Sequence, residues 1–245
     1  MELPQLGHLD REPSILALGE AIRVWEPTLE LVCRRDDPLI FEPDGTLYAV
    51  GLGPPSTLLA RHKPRAFGIG DAIVVPNSVA IEADPPTGFL GLLHEGTPPY
   101  HFRERFIQTW GYELRSGLPA DSDRVESGGE SELVRADDPR FRVPIGVIRP
   151  TALDCKGSTG FDLHLLVALD AGVGSMRFGE ESIGGERGVV ILIPSRTDYV
   201  LVGGGTWARL VLRTEVDYLA RLEDEYRAEA ARWSPEFRPG HTPEA

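Results

Sequence analysis

The fold is decided by Gly188-Val-Val-Ile-Leu-Ile-Pro194, continued by Ser195-Arg-Thr-Asp-Tyr199 and Val200-Leu-Val202 into Gly203-Gly-Gly205. It reads as a buried strand, a proline-marked corner, a second strand and a glycine turn. Upstream, Gly70-Asp-Ala-Ile-Val-Val-Pro76 repeats the pattern of glycine, five residues and proline. From Gly70 to Gly188 and from Pro76 to Pro194 the separation is the same, 118 residues. At that offset Leu47 falls on Leu165, Leu58 on Met176, Phe89 on Trp207 and Leu92 on Leu210, so the chain reads as two copies of one β module.

Working outward, the first module contains candidate strands at 39–41, 46–50, 57–60, 70–75, 79–83 and 89–94, separated by turns such as Pro43-Asp-Gly45 and Asp84-Pro-Pro-Thr-Gly88. The second contains candidate strands at 143–148, 162–169, 173–178, 188–193, 198–202 and 207–212. Short strands at close spacing with Gly and Pro between them argue for an all-β sandwich or barrel. Ahead of the first module, Ile15–Leu18 into Ala21–Trp25 and then Leu29–Arg34 read as further strands. Between the modules, Pro99–Tyr112 reads as a helix capped by Thr97, with Phe102, Phe106 and Trp110 on one face. Residues 116–139 are acidic, Gly/Ser-rich and aperiodic, the composition of a linker. After the second module, Thr214 with Asp217 starts a helix carrying Leu219, Leu222, Tyr226, Ala230 and Trp233, and Pro235–Ala245 is a polar tail. The organisation expected is a first module at 14–96, a helix and linker at 97–139, a second module at 140–213, a helix at 214–233 and a tail at 234–245.

With 41% hydrophobic and 26% charged residues, the 245-residue chain has the composition of an ordinary globule. A net charge of −13 argues against nucleic-acid backbone binding and against docking on an anionic membrane. Two cysteines, Cys33 and Cys155, make no disulfide framework. The N-terminal residues have neither the basic nor the apolar region of a signal peptide, and no apolar run reaches a membrane span. The expectation is a cytoplasmic protein with a small-molecule partner, whose strand edges and apolar helix stripes offer a route to a homodimer.

Two modules with this glycine-to-proline signature resemble the cupin superfamily in its duplicated, bicupin form. The second module, from Leu165 to Gly174 and from Gly188 to Gly203, resembles the C-terminal cupin of class I mannose-6-phosphate isomerases. The resemblance implies two jelly-roll barrels arising from an internal duplication. In metal-dependent cupins it also implies two histidines and a glutamate in a first motif and a histidine in a second. Here those positions fall near Asp37, Leu39, Asp44 and Ile81 in the first module, and near Cys155, Gly157, Asp162 and Tyr199 in the second. Neither set is complete, so no metal and no cofactor are expected. Asp44 also suits the Asp44-Gly45 turn, and Tyr199 suits a core aromatic with a satisfied hydroxyl.

The ligand-binding expectation rests on the second module. Asp162, His164, Arg177, Tyr199, Trp207 and Arg209 bring polar and ionisable groups to strands that are far more apolar in the first, where the matching positions are Asp44, Thr46, Leu59, Ile81, Phe89 and Gly91. Period-2 alternation assigns Asp162 and His164 to one face and Trp207 and Arg209 to one face. This set suits a small polar or anionic molecule such as a sugar or sugar phosphate. The alternatives are a metal-dependent sugar-phosphate isomerase or oxygenase with unusual ligands, and an assembly role. A different site, from His94, His101 and Gln108, competes with a plain polar helix face beside a barrel rim.

Overall fold

The computed structural model describes residues 3–35, 39–41, 45–60, 63–75, 80–95, 113–115, 130–134, 141–148, 150, 154–170 and 174–233. The first half of the chain carries β1 (Gln5–His8), α1 (Glu12–Trp25), β2 (Leu29–Arg34), β3 (Leu39–Phe41), β4 (Thr46–Gly51), β5 (Ser56–Ala60), β6 (Lys63–Phe67), β7 (Ala72–Val75), β8 (Ile81–Asp84), β9 (Phe89–His94) and β10 (Glu113–Arg115). The second half carries β11 (Glu130–Val134), β12 (Ile145–Ile148), β13 (Cys155–Ser158), β14 (Leu163–Ala168), β15 (Gly174–Phe178), β16 (Glu181–Gly184), β17 (Val189–Ile193), β18 (Asp198–Gly203), β19 (Trp207–Leu212) and α2 (Glu215–Trp233).

All strand pairings are antiparallel, and they make two double-sheet jelly-roll barrels. The first barrel joins the sheet β10-β7-β4-β9-β2 to the sheet β3-β8-β5-β6, and the second joins β1-β17-β14-β19-β12-β11 to β13-β18-β15-β16. The N-terminal strand β1 therefore belongs to the second barrel's sheet, although the whole first barrel lies between them in the chain. Alternation splits the apolar residues between faces. One set fills the first barrel (Leu47, Ala49, Ile73, Ile81 and Phe89 among them) and a second set fills the other (Leu166, Ile191, Ile193, Tyr199 and Trp207 among them). The opposite faces of the two larger sheets meet in a third cluster, where Tyr48, Val50 and Leu92 pack with Leu165, Leu210 and Leu212. The two halves share this central core.

The strand registers give the internal repeat its detail. Gly70 and Gly188 both hold positive φ, +79° and +87°, a backbone conformation that only glycine adopts cheaply. β8 and β18, and likewise β9 and β19, correspond at the 118-residue offset, so Ile81 matches Tyr199 and Phe89 matches Trp207. β4 and β14 do not. Leu47 pairs with Val75 and Leu93, whereas His164 pairs with Ile193 and Val211, so Leu47 corresponds to His164 and the offset there is one residue shorter. The sequence match of Leu47 with Leu165 is corrected accordingly. An apolar run of the kind in β4 and β14 carries no period to fix its register without the neighbouring strands.

Three further expectations change. Residues 12–25 form helix α1 and not strands: Pro13 sits in its first turn, and Ile15, Leu18 and Ile22 recur at helical spacing and are buried in the central core. The exposed Leu16 and Val24 had filled in the alternation that suggested strands. Within the acidic linker region, 130–134 form edge strand β11 against β12, anchored by the buried Leu133. Among the described side chains of α2, Tyr218 and Leu222 are buried, while Leu219 is exposed. Thr214 caps that helix as expected, its Oγ1 3.3 Å from the Asp217 amide and 2.8 Å from the Asp217 carboxylate. The helix expected at 99–112, with His101 and Gln108, lies outside the described residues, as do Asp37, Asp44 and the tail. Among the described residues, no helix is long and apolar enough to cross a membrane.

Candidate functional site

The second barrel holds a cavity of about 220 Å³. β13 supplies Cys155, Lys156 and Gly157 to its wall, with Asp154 just ahead of that strand. Tyr199 and Leu201 come from β18, Arg209 from β19 and Ile148 from β12. Arg209 points into the barrel because it shares the face of Trp207, whereas Ala208 and Leu210 face the central core.

Tyr199 organises the polar end of this barrel. It is buried, and its hydroxyl lies 2.9 Å from Nδ1 of the equally buried His164. The two rings meet edge to face at 86°. Burial pushes His164 down to about 3, and the nearby Arg209 guanidinium pushes in the same direction. The imidazole is therefore neutral at ordinary pH, and the Tyr199–His164 pair carries no charge. Gly157, paired with Tyr199 across the sheet, makes room for the phenol: a Cβ at 157 would clash with Tyr199 Cζ and lie 2.6 Å from its hydroxyl.

That arrangement decides the fit of a cupin metal. The first-motif positions suggested by the resemblance hold Cys155 and Gly157, and the second-motif position holds Tyr199. The space that a side chain at 157 would enter is filled by the Tyr199 phenol, and that phenol engages His164. A nearby guanidinium further disfavours a cation. The residues present do not fit a metal of that kind. In the described residues no group of three or more His, Cys, Asp or Glu side chains is placed to hold a metal ion.

Of the six residues singled out from the sequence, Tyr199 and Arg209 line the cavity and His164 stands behind Tyr199. Trp207 is buried in the same barrel but packs over Gly174 and Gly185 away from the cavity wall. Arg177 points outward, half exposed, and pairs with Asp154 at 2.6 Å. Asp162 precedes β14 instead of lying in it, so alternation with His164 does not apply. Its charged surroundings are Arg213, Asp217 and Arg221, and burial raises its pKa. Lys156 and Asp154 were not singled out; the only signal was their place beside Cys155 and Gly157.

Among the described residues, the first barrel carries different side chains at these positions. Leu47, Ile81 and Phe89 stand where the second barrel has His164, Tyr199 and Trp207, and Gly91 stands for Arg209. A Cβ at Gly91 would lie 2.6 Å from the Tyr48 carbonyl oxygen and 2.8 Å from Ala49 Cβ, so that wall admits no side chain.

A second polar cluster lies at the seam of the two halves. Arg142, fully buried, places Nη1 2.5 Å from Glu215 and 2.6 Å from the Thr28 hydroxyl, and Nη2 3.2 Å from Glu26. Glu26 accepts hydrogen bonds from the Thr28 hydroxyl (2.9 Å) and from the Glu215 amide (2.7 Å). Its pKa is lowered: burial opposes ionisation, but these hydrogen bonds and Arg142 outweigh it. His94 Nε2 lies 3.0 Å from Glu215, and burial with Arg142 pushes the imidazole down to about 4. His94 therefore serves the seam, through residues far away in sequence.

The fold is similar to that of solved cupin structures. Similar solved structures are the Ylba protein of E. coli (TM-score 0.56, 10% identity, 75% of each chain), a salicylate 1,2-dioxygenase from Pseudaminobacter salicylatoxidans (0.52, 9%, 85% of this chain and 84% of that one) and a cupin 2 conserved barrel domain protein from Leptotrichia buccalis (0.50, 9%, 77% and 85%). At such identities the likeness concerns fold alone. No protein-family model matches the chain, and no curated protein matches it.

Proposed function

We propose that the protein is a metal-free bicupin whose second barrel binds a small anionic molecule, a sugar phosphate or an organic acid, in the cavity at Tyr199 and Arg209. The observation that carries this reading is the Arg209 side chain, which shares the inward face of Trp207 and lines a cavity of a chain with net charge −13. Among the described residues of that wall, the Asp154 carboxylate pairs with Arg177. The Tyr199–His164 pair adds a fixed hydroxyl without charge. At about 220 Å³ the cavity is smaller than drug-sized pockets of roughly 300–1,000 Å³, which suits a ligand of few heavy atoms. His164, held neutral, is a poor proton acceptor, which favours binding over general-base catalysis.

A thermal-shift screen of small carboxylates, sugar phosphates and inorganic phosphate tests the reading. Ligands should raise the melting temperature in proportion to occupancy, and the shift should shrink in Arg209→Leu. Shifts indifferent to Arg209, or stoichiometric iron, manganese, zinc or nickel in protein purified without added metal, would overturn it. The metal result would favour the metal-dependent enzyme instead.

A further inference from the structure

We infer that the second barrel selects anions that also carry a hydroxyl group, and that the Tyr199–His164 pair is the specificity element. This rests on the anion-binding reading and adds to it the chemistry of the rest of the ligand. The cavity wall divides by chemistry. Arg209 supplies charge, Ile148 and Leu201 supply apolar surface, and Tyr199 supplies the phenol. That phenol is not a loosely placed side chain. Its hydroxyl is held 2.9 Å from His164 Nδ1, and its hydroxyl end lies over Gly157, itself part of the wall.

The protonation state of His164 decides what the phenol can recognise. A neutral imidazole has one N–H donor and one acceptor nitrogen, so the Tyr199 hydroxyl either donates to Nδ1 or accepts from it. A charged imidazole would fix one direction and add a positive charge; burial beside Arg209 removes that state. A hydroxyl on the ligand, both donor and acceptor, complements the phenol in either arrangement. A methyl or hydrogen in its place would leave the phenol facing an apolar group in a buried setting, which costs binding. At the corresponding described positions the first barrel carries Leu47 and Ile81, which cannot form such a pair.

The test is titration of the full chain with matched pairs: glycerate and lactate against propionate, and glycerol 3-phosphate against propyl phosphate. The hydroxylated member should bind about tenfold more tightly, the effect of roughly one hydrogen bond. Tyr199→Phe should bring the two members of each pair level, while Arg209→Leu should weaken both. His164→Leu, which copies the first barrel, should also narrow the gap, and it serves if the phenylalanine variant does not fold. Equal binding within each pair, still dependent on Arg209, would refute the hydroxyl preference and leave the anion site standing. A preference that survives both Tyr199→Phe and His164→Leu would refute the role of the pair. No binding by any of these anions would remove the anion-site reading as well. The carboxylate and phosphate pairs tell the two anion classes apart.

Discussion

Two histidines, His164 and His94, are buried in a neutral state, and this makes a sharp prediction about acid. Their folded-state pKa values, about 3 and about 4, lie below the ordinary 6.5. Between 6.5 and those values the unfolded chain takes up a proton on each histidine while the folded chain does not, so stability falls as pH falls. The contribution is fully present above about pH 7, is lost progressively below 6.5, and levels off beneath each folded value. From pH 7 to pH 5 linkage gives a loss of about 2 kcal/mol per histidine, or about 4 kcal/mol for the two. That is a large share of the roughly 5–15 kcal/mol that holds a typical domain. Urea unfolding at a series of pH values measures it through the midpoint at constant slope. His164→Leu removes one titrating group, so the variant should lose only about half as much stability between pH 7 and 5, whatever its stability at pH 7. A variant with the same pH dependence as the wild type would refute the claim that His164 is buried and neutral.

Other perturbations have definite expectations. Gly157→Ala should destabilise by about 1–3 kcal/mol, because the added methyl runs into the Tyr199 ring; combining it with Tyr199→Ile should recover part of the loss in a double-mutant cycle by thermal denaturation. Arg142→Ala should cost about 3–5 kcal/mol by leaving the Glu26 and Glu215 carboxylates without their buried cation, measured by urea unfolding at pH 7. Thr214→Ala should cost about 1 kcal/mol through loss of the α2 cap, with amide exchange rising mainly in that helix.

Much of the fold was legible because its signals are local. The glycine-to-proline pattern places Gly70 and Gly188 at equivalent positive-φ corners, and the short apolar runs between turns give many strands of both barrels. What failed were the places where neighbours decide. Ile15-Leu-Ala-Leu18 satisfies a strand pattern as well as a helical one, and only the central core selects the face bearing Ile15, Leu18 and Ile22. Leu163–Ala168, buried along its whole length, leaves register open by one residue, which is how Leu47 was matched to Leu165 instead of His164. The polar face of the second barrel was half legible, since Tyr199 and Arg209 stand out against Ile81 and Gly91. Their companions Lys156 and Asp154 did not, because a short strand such as β13 has almost no pattern of its own. The Glu26–Arg142–Glu215–His94 cluster had no sequence signal at all: Arg142 and Glu215 are 73 residues apart, and His94 and Glu215 are 121.

The most direct measurement is a crystal structure of the protein grown with saturating glycerol 3-phosphate or glycerate. The account predicts density for the anion in the second barrel, against Arg209, with a ligand hydroxyl at Tyr199 and the first barrel filled by its own side chains. An empty second cavity, a ligand in the first barrel, or a metal ion bound by His164 and Cys155 with Tyr199 turned away would contradict it.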